Sequence, residues 1–112
     1  MKMNETISQL SALAQETRLH VFRELVRAGN TGLPAGAIAD RVEANATTLS
    51  RHLALMEQAG LLKKERKSRN IIYRVDFENV RSLFTFLMED CCAGDPRVTG
   101  ICAVNIDEGV SK

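Results

Sequence analysis

Cys91, Cys92 and Cys102 carry the most reactive side chains of this 112-residue chain. The doublet offers two sulfurs at short range, and segment 93–101, with Gly94, Pro96 and Gly100, can fold the third onto them. Cys102 lies ten positions beyond Cys92, a long loop, so the pair is the firmer part of the set. Three is an odd number, and the first ten residues lack the apolar run of a secretory signal, so reduced thiols are expected rather than disulfides. Three roles are open to them: ligation of a soft, thiophilic ion, a thiol redox switch, or packing as small apolar side chains. A doublet beside Glu89, Asp90 and Asp95 suits packing poorly, and the acids raise thiol pKa values, which counts against the redox switch. Cys91 and Arg97 also have the Cys-x5-Arg spacing of the phosphate-cradling loop of thiol phosphatases and reductases. Such a loop aims backbone amides at the anion between a strand and a helix. Here the preceding segment has helical periodicity, Pro96 has no amide proton and Asp95 repels anions, so no enzyme is expected.

A second constellation is basic. Lys63, Lys64, Arg66, Lys67, Arg69 and Arg74 face the single acid Glu65, a local net charge of +5 that leaves −4 for the rest of a chain whose formal net charge is +1. A run of this kind neutralises phosphates and releases their counterions, which gives salt-dependent, sequence-independent binding. Just before it, Leu49, Leu53 and Met56 recur at i, i+4 and i+7, the inner stripe of a helix. A 100° step per residue then places Thr47, Arg51 and Ala54 on the far side, with Ser50 flanking. Short hydroxyls and a forked guanidinium beside small alanines suit a helix that enters the DNA major groove. The candidate DNA-binding residues are Thr47, Thr48, Ser50, Arg51 and His52 on the helix and Lys63, Lys64, Arg66, Lys67 and Arg69 on the basic segment. Either feature alone also describes a solvated surface; their order along the chain makes the case.

The elements that must hold these residues follow from period and punctuation. A first helix is expected over about 5–14, with Ile7, Leu10 and Leu13 or Ala14 at helical spacing. Thr17 is placed as the N-cap of a second, with Leu19, Phe22, Leu25 and Val26 on one face and Gly29 at its end. After a turn over 30–33, Pro34 fits the first turn of a short third helix whose inner face is Ala35, Ile38, Ala39 and Val42. A break at Glu43 and Ala44 precedes a fourth helix capped by Asn45 and ended by Gly60. Leu61 and Leu62 lead into a hairpin with its tip at Ser68, Arg69 and Asn70 and a returning strand over 71–75. A last helix over about 78–91 carries Val80, Leu83, Phe84, Leu87 and Met88. Two short helices joined by a tight turn and followed by a basic hairpin make a winged helix-turn-helix: mainly α with a small β-hairpin wing. Residues 1–93 are assigned to that domain, and 94–112 to an irregular tail that contributes to the cysteine site. At 45% apolar and 26% charged the chain has an ordinary globular balance, and no run is long enough to span a membrane. A cytoplasmic location is expected.

Thr17-Arg18-Leu19-His20-Val21-Phe22, Leu49-Ser50-Arg51-His52-Leu53 and Glu57-Gln58-Ala59-Gly60-Leu61-Leu62 together resemble the ArsR/SmtB family of bacterial metalloregulatory repressors, and Tyr73-Arg74-Val75 resembles that family's second wing strand. The resemblance covers about residues 5–90. It implies a homodimer built by the first and last helices, bound to an inverted-repeat operator and released by an inducer. The surplus of apolar residues on the terminal helices agrees. The commonest arsenic site of the family resembles a Cys-Val-Cys motif in the third helix, where this chain has Leu33-Pro34-Ala35-Gly36-Ala37-Ile38 and no thiol. The zinc type uses Asp and His pairs along the last helix, and this chain has no His beyond His52. Cys91, Cys92 and Cys102 resemble instead a variation in which arsenic-responsive members carry a Cys-Cys pair and a third cysteine near the C-terminus. The implied inducer is trivalent arsenic (arsenite), with antimonite, methylated arsenicals and other thiophilic ions as alternatives. His20 and His52, isolated in sequence from the cysteines, are assigned structural or DNA-facing roles rather than ligation.

Overall fold

The computed structural model describes residues 2–91 and 93–98; Cys92, Cys102 and most of the tail lie outside the described residues. The elements are α1 (Met3–Leu13), α2 (Glu16–Ala28), a 3-10 turn (Gly29–Thr31), β1 (Leu33–Pro34), α3 (Ala35–Val42), α4 (Ala46–Gln58), β2 (Leu62–Lys67), β3 (Asn70–Val75) and α5 (Phe77–Thr85). The last helix continues as a π-helix over Phe86–Cys91. Helices therefore dominate, with a three-stranded antiparallel sheet in the order β1-β3-β2.

The core forms where the inner stripes of α2, α3 and α4 meet the base of the hairpin. Val21, Leu25, Ile38, Leu49, Leu53, Met56 and Leu61 are almost wholly removed from water, and Leu62 and Val75 close the cluster from the sheet. Fully burying one such side chain stabilises the fold by about 1.5–3 kcal/mol. Sequence periodicity located the α4 stripe residue for residue. Its N-cap is Asn45, whose side-chain oxygen accepts from the Thr48 amide at 2.8 Å, as expected.

Elsewhere the structure corrects the expectations. The N-cap of α2 is Gln15 rather than Thr17; its Oε1 accepts from the Arg18 amide at 2.8 Å, so the helix starts at Glu16. The inner face of α2 is Val21 and Leu25, while Leu19 and Val26 turn to solvent. Helix α1 begins two residues earlier than expected, at Met3, and buries Thr6, Gln9 and Ala12. Its apolar stripe points away: Ile7 is 58% and Leu10 41% exposed. On α5 the same happens to Phe84, 47% exposed, while Val80 and Leu83 go inward. The later turns of that helix are π rather than α.

The expected turn over 30–33 contains a strand. Leu33 pairs with Tyr73 and Pro34 with Ile72, so the wing has three strands at its base and not two. Pro34 is extended and acts as the N-cap of α3 rather than a residue of its first turn, and Ala35 is exposed. Gly32 makes the extra strand possible. It is buried with φ +69°, and a methyl there would collide with the Tyr73 carbonyl oxygen.

Candidate nucleic-acid interface

The reading head is the α3–α4 pair. Glu43 turns the chain between them with φ 56°, a left-handed conformation that costs a non-glycine residue on the order of 1 kcal/mol. The Ala44 amide donates to the Ala39 carbonyl at 3.1 Å and so closes the end of α3. With Leu49, Leu53 and Met56 inward, Thr47, Thr48, Ser50, Arg51 and Ala54 are all exposed. Four of the five helix candidates are therefore exposed on the surface opposite the core, among the described residues.

His52, the fifth, is placed differently. It is half-buried at the edge of this face, and its Nδ1 lies 3.0 Å from Arg18 Nη1 on α2. Arginine has only donors, so Nδ1 accepts. Loss of hydration, then the Arg18 charge, then the Arg51 charge hold the imidazole pKa below its ordinary value. His20 stands on the exposed side of α2, 3.9 Å from Glu16.

Leu62 pairs with Val75 at the base of the wing, Lys63 with Arg74 and Lys67 with Asn70, and the chain reverses at Ser68 and Arg69. Lys63, Lys64, Arg66, Lys67 and Arg69 are exposed. Two cations of the run are committed to structure. Arg74 bonds to Glu65 across the ribbon and to the Asn30 carbonyl at 3.1 Å, and Lys64 Nζ sits 3.4 Å from Glu57 at the end of α4. Among the described residues, Lys63, Arg66, Lys67 and Arg69 form no ion pair within the chain. They are the part of the charge that a phosphate backbone can use, and three of the four sit at or next to the tip.

Cys91 ends the π-helix that follows α5, and just beyond it the Gly94 amide donates to the Met88 carbonyl at 2.8 Å. Cys92 and Cys102 lie outside the described residues, and among those described no group of three His, Cys, Asp or Glu side chains is gathered as a metal site. Arg97 is forked onto Asp95, with nitrogens 3.1 and 2.7 Å from its two oxygens. That bond holds the Asp95 carboxyl below the usual carboxylate range. That guanidinium is engaged with a carboxylate, and the stretch that leads to Cys91 is helical.

Sequence reasoning missed Arg18. Its position was a signal: residues 18, 21 and 25 follow i, i+3 and i+7, so an arginine occupies the inner stripe of α2, where Val21 and Leu25 are buried. A buried-side guanidinium must find acceptors.

A helix-turn-helix domain family matches residues 13–65, which contain α3, α4 and the start of β2. The transcriptional activator HlyU of Vibrio cholerae is 26% identical over 83 residues, 74% of each chain. Among solved structures, an ArsR-like transcriptional regulator from Rhodococcus superposes with a TM-score of 0.71 at 25% identity, covering 90% of this chain and 92% of its own. A homodimeric winged helix-turn-helix DNA-binding domain from Mycobacterium bovis, described as a possible ArsR-family regulator, gives 0.65 at 26% identity, covering 86% and 83%. The exposed polar face of α4, the unpaired cations of the wing and these relatives agree: the chain has a winged helix-turn-helix fold and is similar to transcription regulators of the ArsR type.

Proposed function

We propose that the protein is a cytoplasmic, homodimeric repressor that holds a two-half-site operator and releases it when its C-terminal cysteines bind trivalent arsenic. The observation that supports this reading is the position of Cys91 in the chain fold: it ends the helical stretch that continues α5, the helix whose Phe84 is left exposed. Outward-facing Met3, Ile7 and Leu10 on α1 and Phe84 on α5 supply apolar surface for a second copy. A twofold pair of reading heads matches half-sites about 34 Å apart. Thr47, Thr48, Ser50 and Arg51 read base edges and nearby phosphates, and Lys63, Arg66, Lys67 and Arg69 neutralise the flanking backbone.

The donor set fits the ligand by chemistry. Trivalent arsenic is soft and takes three pyramidal thiolate bonds, so Cys91, Cys92 and Cys102 suffice, and the doublet alone suits a methylated arsenical. Joining the end of the last helix to the tail reshapes the helix that also faces the partner, and so changes the spacing of the two heads. Coupling of this kind is typically about 1–3 kcal/mol, or roughly 5–150-fold in affinity. Reduced thiols are required throughout, which is why the cytoplasm is the setting.

The test is a titration of reduced protein on fluorescent operator duplex with arsenite, followed by anisotropy. Cys91→Ser and Cys92→Ser should bind DNA normally and resist release; Cys102→Ser separates a three-sulfur site from a two-sulfur one. A double Cys91/Cys92 variant that dissociates normally on arsenite addition overturns the sensor assignment. Equal release by peroxide and by arsenite would move the reading to a redox switch.

A further inference from the structure

Arg18 makes two bonds that join three helices. Its Nε donates to the Ala12 carbonyl at 2.6 Å, and its Nη1 donates to His52 Nδ1 at 3.0 Å. Ala12 belongs to the last turn of α1, where carbonyls have no partner inside the helix. His52 belongs to α4, one residue after Arg51 on the groove-facing surface. A guanidinium presents donors in a rigid planar fork, so it can span two acceptors at a fixed separation in a way a lysine ammonium cannot. We propose that Arg18 is a positioning residue for DNA recognition: a strut that sets the orientation of α4 relative to α1, and that requires His52 to offer a bare Nδ1. The proposal deepens the repressor reading, on which its DNA arm rests, by naming how the dimer-facing helix is tied to the reading helix.

The electrostatics support the arrangement. The charged groups acting on the imidazole are Arg18 from α2 and Arg51 from α4, both cations, while α1 presents the uncharged Ala12 carbonyl. Both charges and the partial burial favour the neutral ring that the strut needs. At neutral pH Nδ1 is free to accept, and as the pH falls through the depressed pKa a proton occupies that nitrogen and the bond is lost. Acid therefore loosens the strut. A His52 that touched DNA phosphate would do the reverse, since the imidazolium is the better partner of a phosphate and acid would tighten binding.

Operator affinity and non-specific duplex affinity are measured at constant salt from pH 7.5 to 5.5. The wild-type operator affinity should fall by about tenfold toward acid, within the range of ordinary coupling. His52→Asn keeps an acceptor oxygen near the Nδ1 position and should lose the pH dependence. His20→Gln should retain the wild-type profile. Arg18→Met should lose about tenfold in operator affinity at pH 7.5 while non-specific binding is kept, and Arg18→Lys should fall between. Binding that tightens in acid, or a His52→Asn variant with the wild-type profile, overturns the strut. A second arm uses no DNA: nitrogen NMR of the ring should show Nδ1 unprotonated, and His52 should titrate higher in Arg18→Met, which removes the neighbouring charge, than in the wild type. An unchanged His52 titration in a folded Arg18→Met variant also overturns it. If no duplex is bound at any pH, the repressor reading fails and the NMR arm still judges the contact.

Discussion

In α4 the stripe of Leu49, Leu53 and Met56 is almost wholly buried, with 1%, 1% and 0% exposure, whereas in α1 the equivalent stripe runs through Ile7 and Leu10 at 58% and 41%. Both helices announce an amphipathic face by the same spacing. In α4 the chain's own core covers it and the polar face is left free to meet DNA. In α1 the chain's core is met by Thr6, Gln9 and Ala12, and the apolar face is left over. Periodicity thus says that a helix has an apolar side, but what covers that side is decided by the surfaces available to it. A leftover stripe on a terminal helix is the signature of a surface meant for something outside the protomer.

The contrast can be broken by mutation, beginning with its strongest element. Leu53→Ala should cost about 3 kcal/mol in urea denaturation, since it empties a fully buried site; a loss below about 1 kcal/mol would deny α4 its anchoring role. On α1, Ile7→Asp should leave the helical circular dichroism intact while raising the dimer dissociation constant about 100-fold in sedimentation equilibrium. An unchanged constant would mean that the outward stripe meets no second copy. The caps sharpen the comparison. Asn45→Ala should remove about 1 kcal/mol because the Thr48 amide loses its acceptor, while Lys2→Ala, whose side chain makes no capping bond, should stay within about 0.5 kcal/mol by thermal unfolding. The smallest effect is expected at Gln9. Its Oε1 is buried without a partner, so Gln9→Met should be neutral or stabilising by up to about 1 kcal/mol. A loss above about 2 kcal/mol would show that the amide is satisfied within the assembled protein.

The reading head was legible in the sequence because local rules and tertiary packing agree there. Asn45 is a favoured cap, the stripe has the right period, Gly29 has the positive φ of 66° expected at the end of α2, and the hairpin reverses where Ser68 and Arg69 were placed. What was illegible depends on distant partners. The strand at Leu33 and Pro34 is two residues long, carries no alternation and exists only because Tyr73 and Ile72 pair with it. Gly32 looked like one more turn glycine; its need is set by a carbonyl about forty residues away. Gln15 displaced Thr17 as cap because the last turn of α1 and the first of α2 are separated by just two residues, Ala14 and Gln15. The π turns of Phe86–Cys91 have no composition signal. The same limit applied to Arg18, a charge whose worth comes from an acceptor 34 positions along the chain.

The short strand β1 has a mechanical consequence for the wing. It grips β3 only at Ile72 and Tyr73, so the ribbon from Arg66 to Asn70 and its turn stand as an unsupported two-stranded beam clamped at its root. Two strands alone are marginally stable without a third strand or a packed face. The clamp fixes where the beam leaves the body, and its free end, loaded with cations, can swing to follow grooves of different width. In the proposed repressor such a lever would grip many duplex sequences about equally well, and leave the choice among them to the helix.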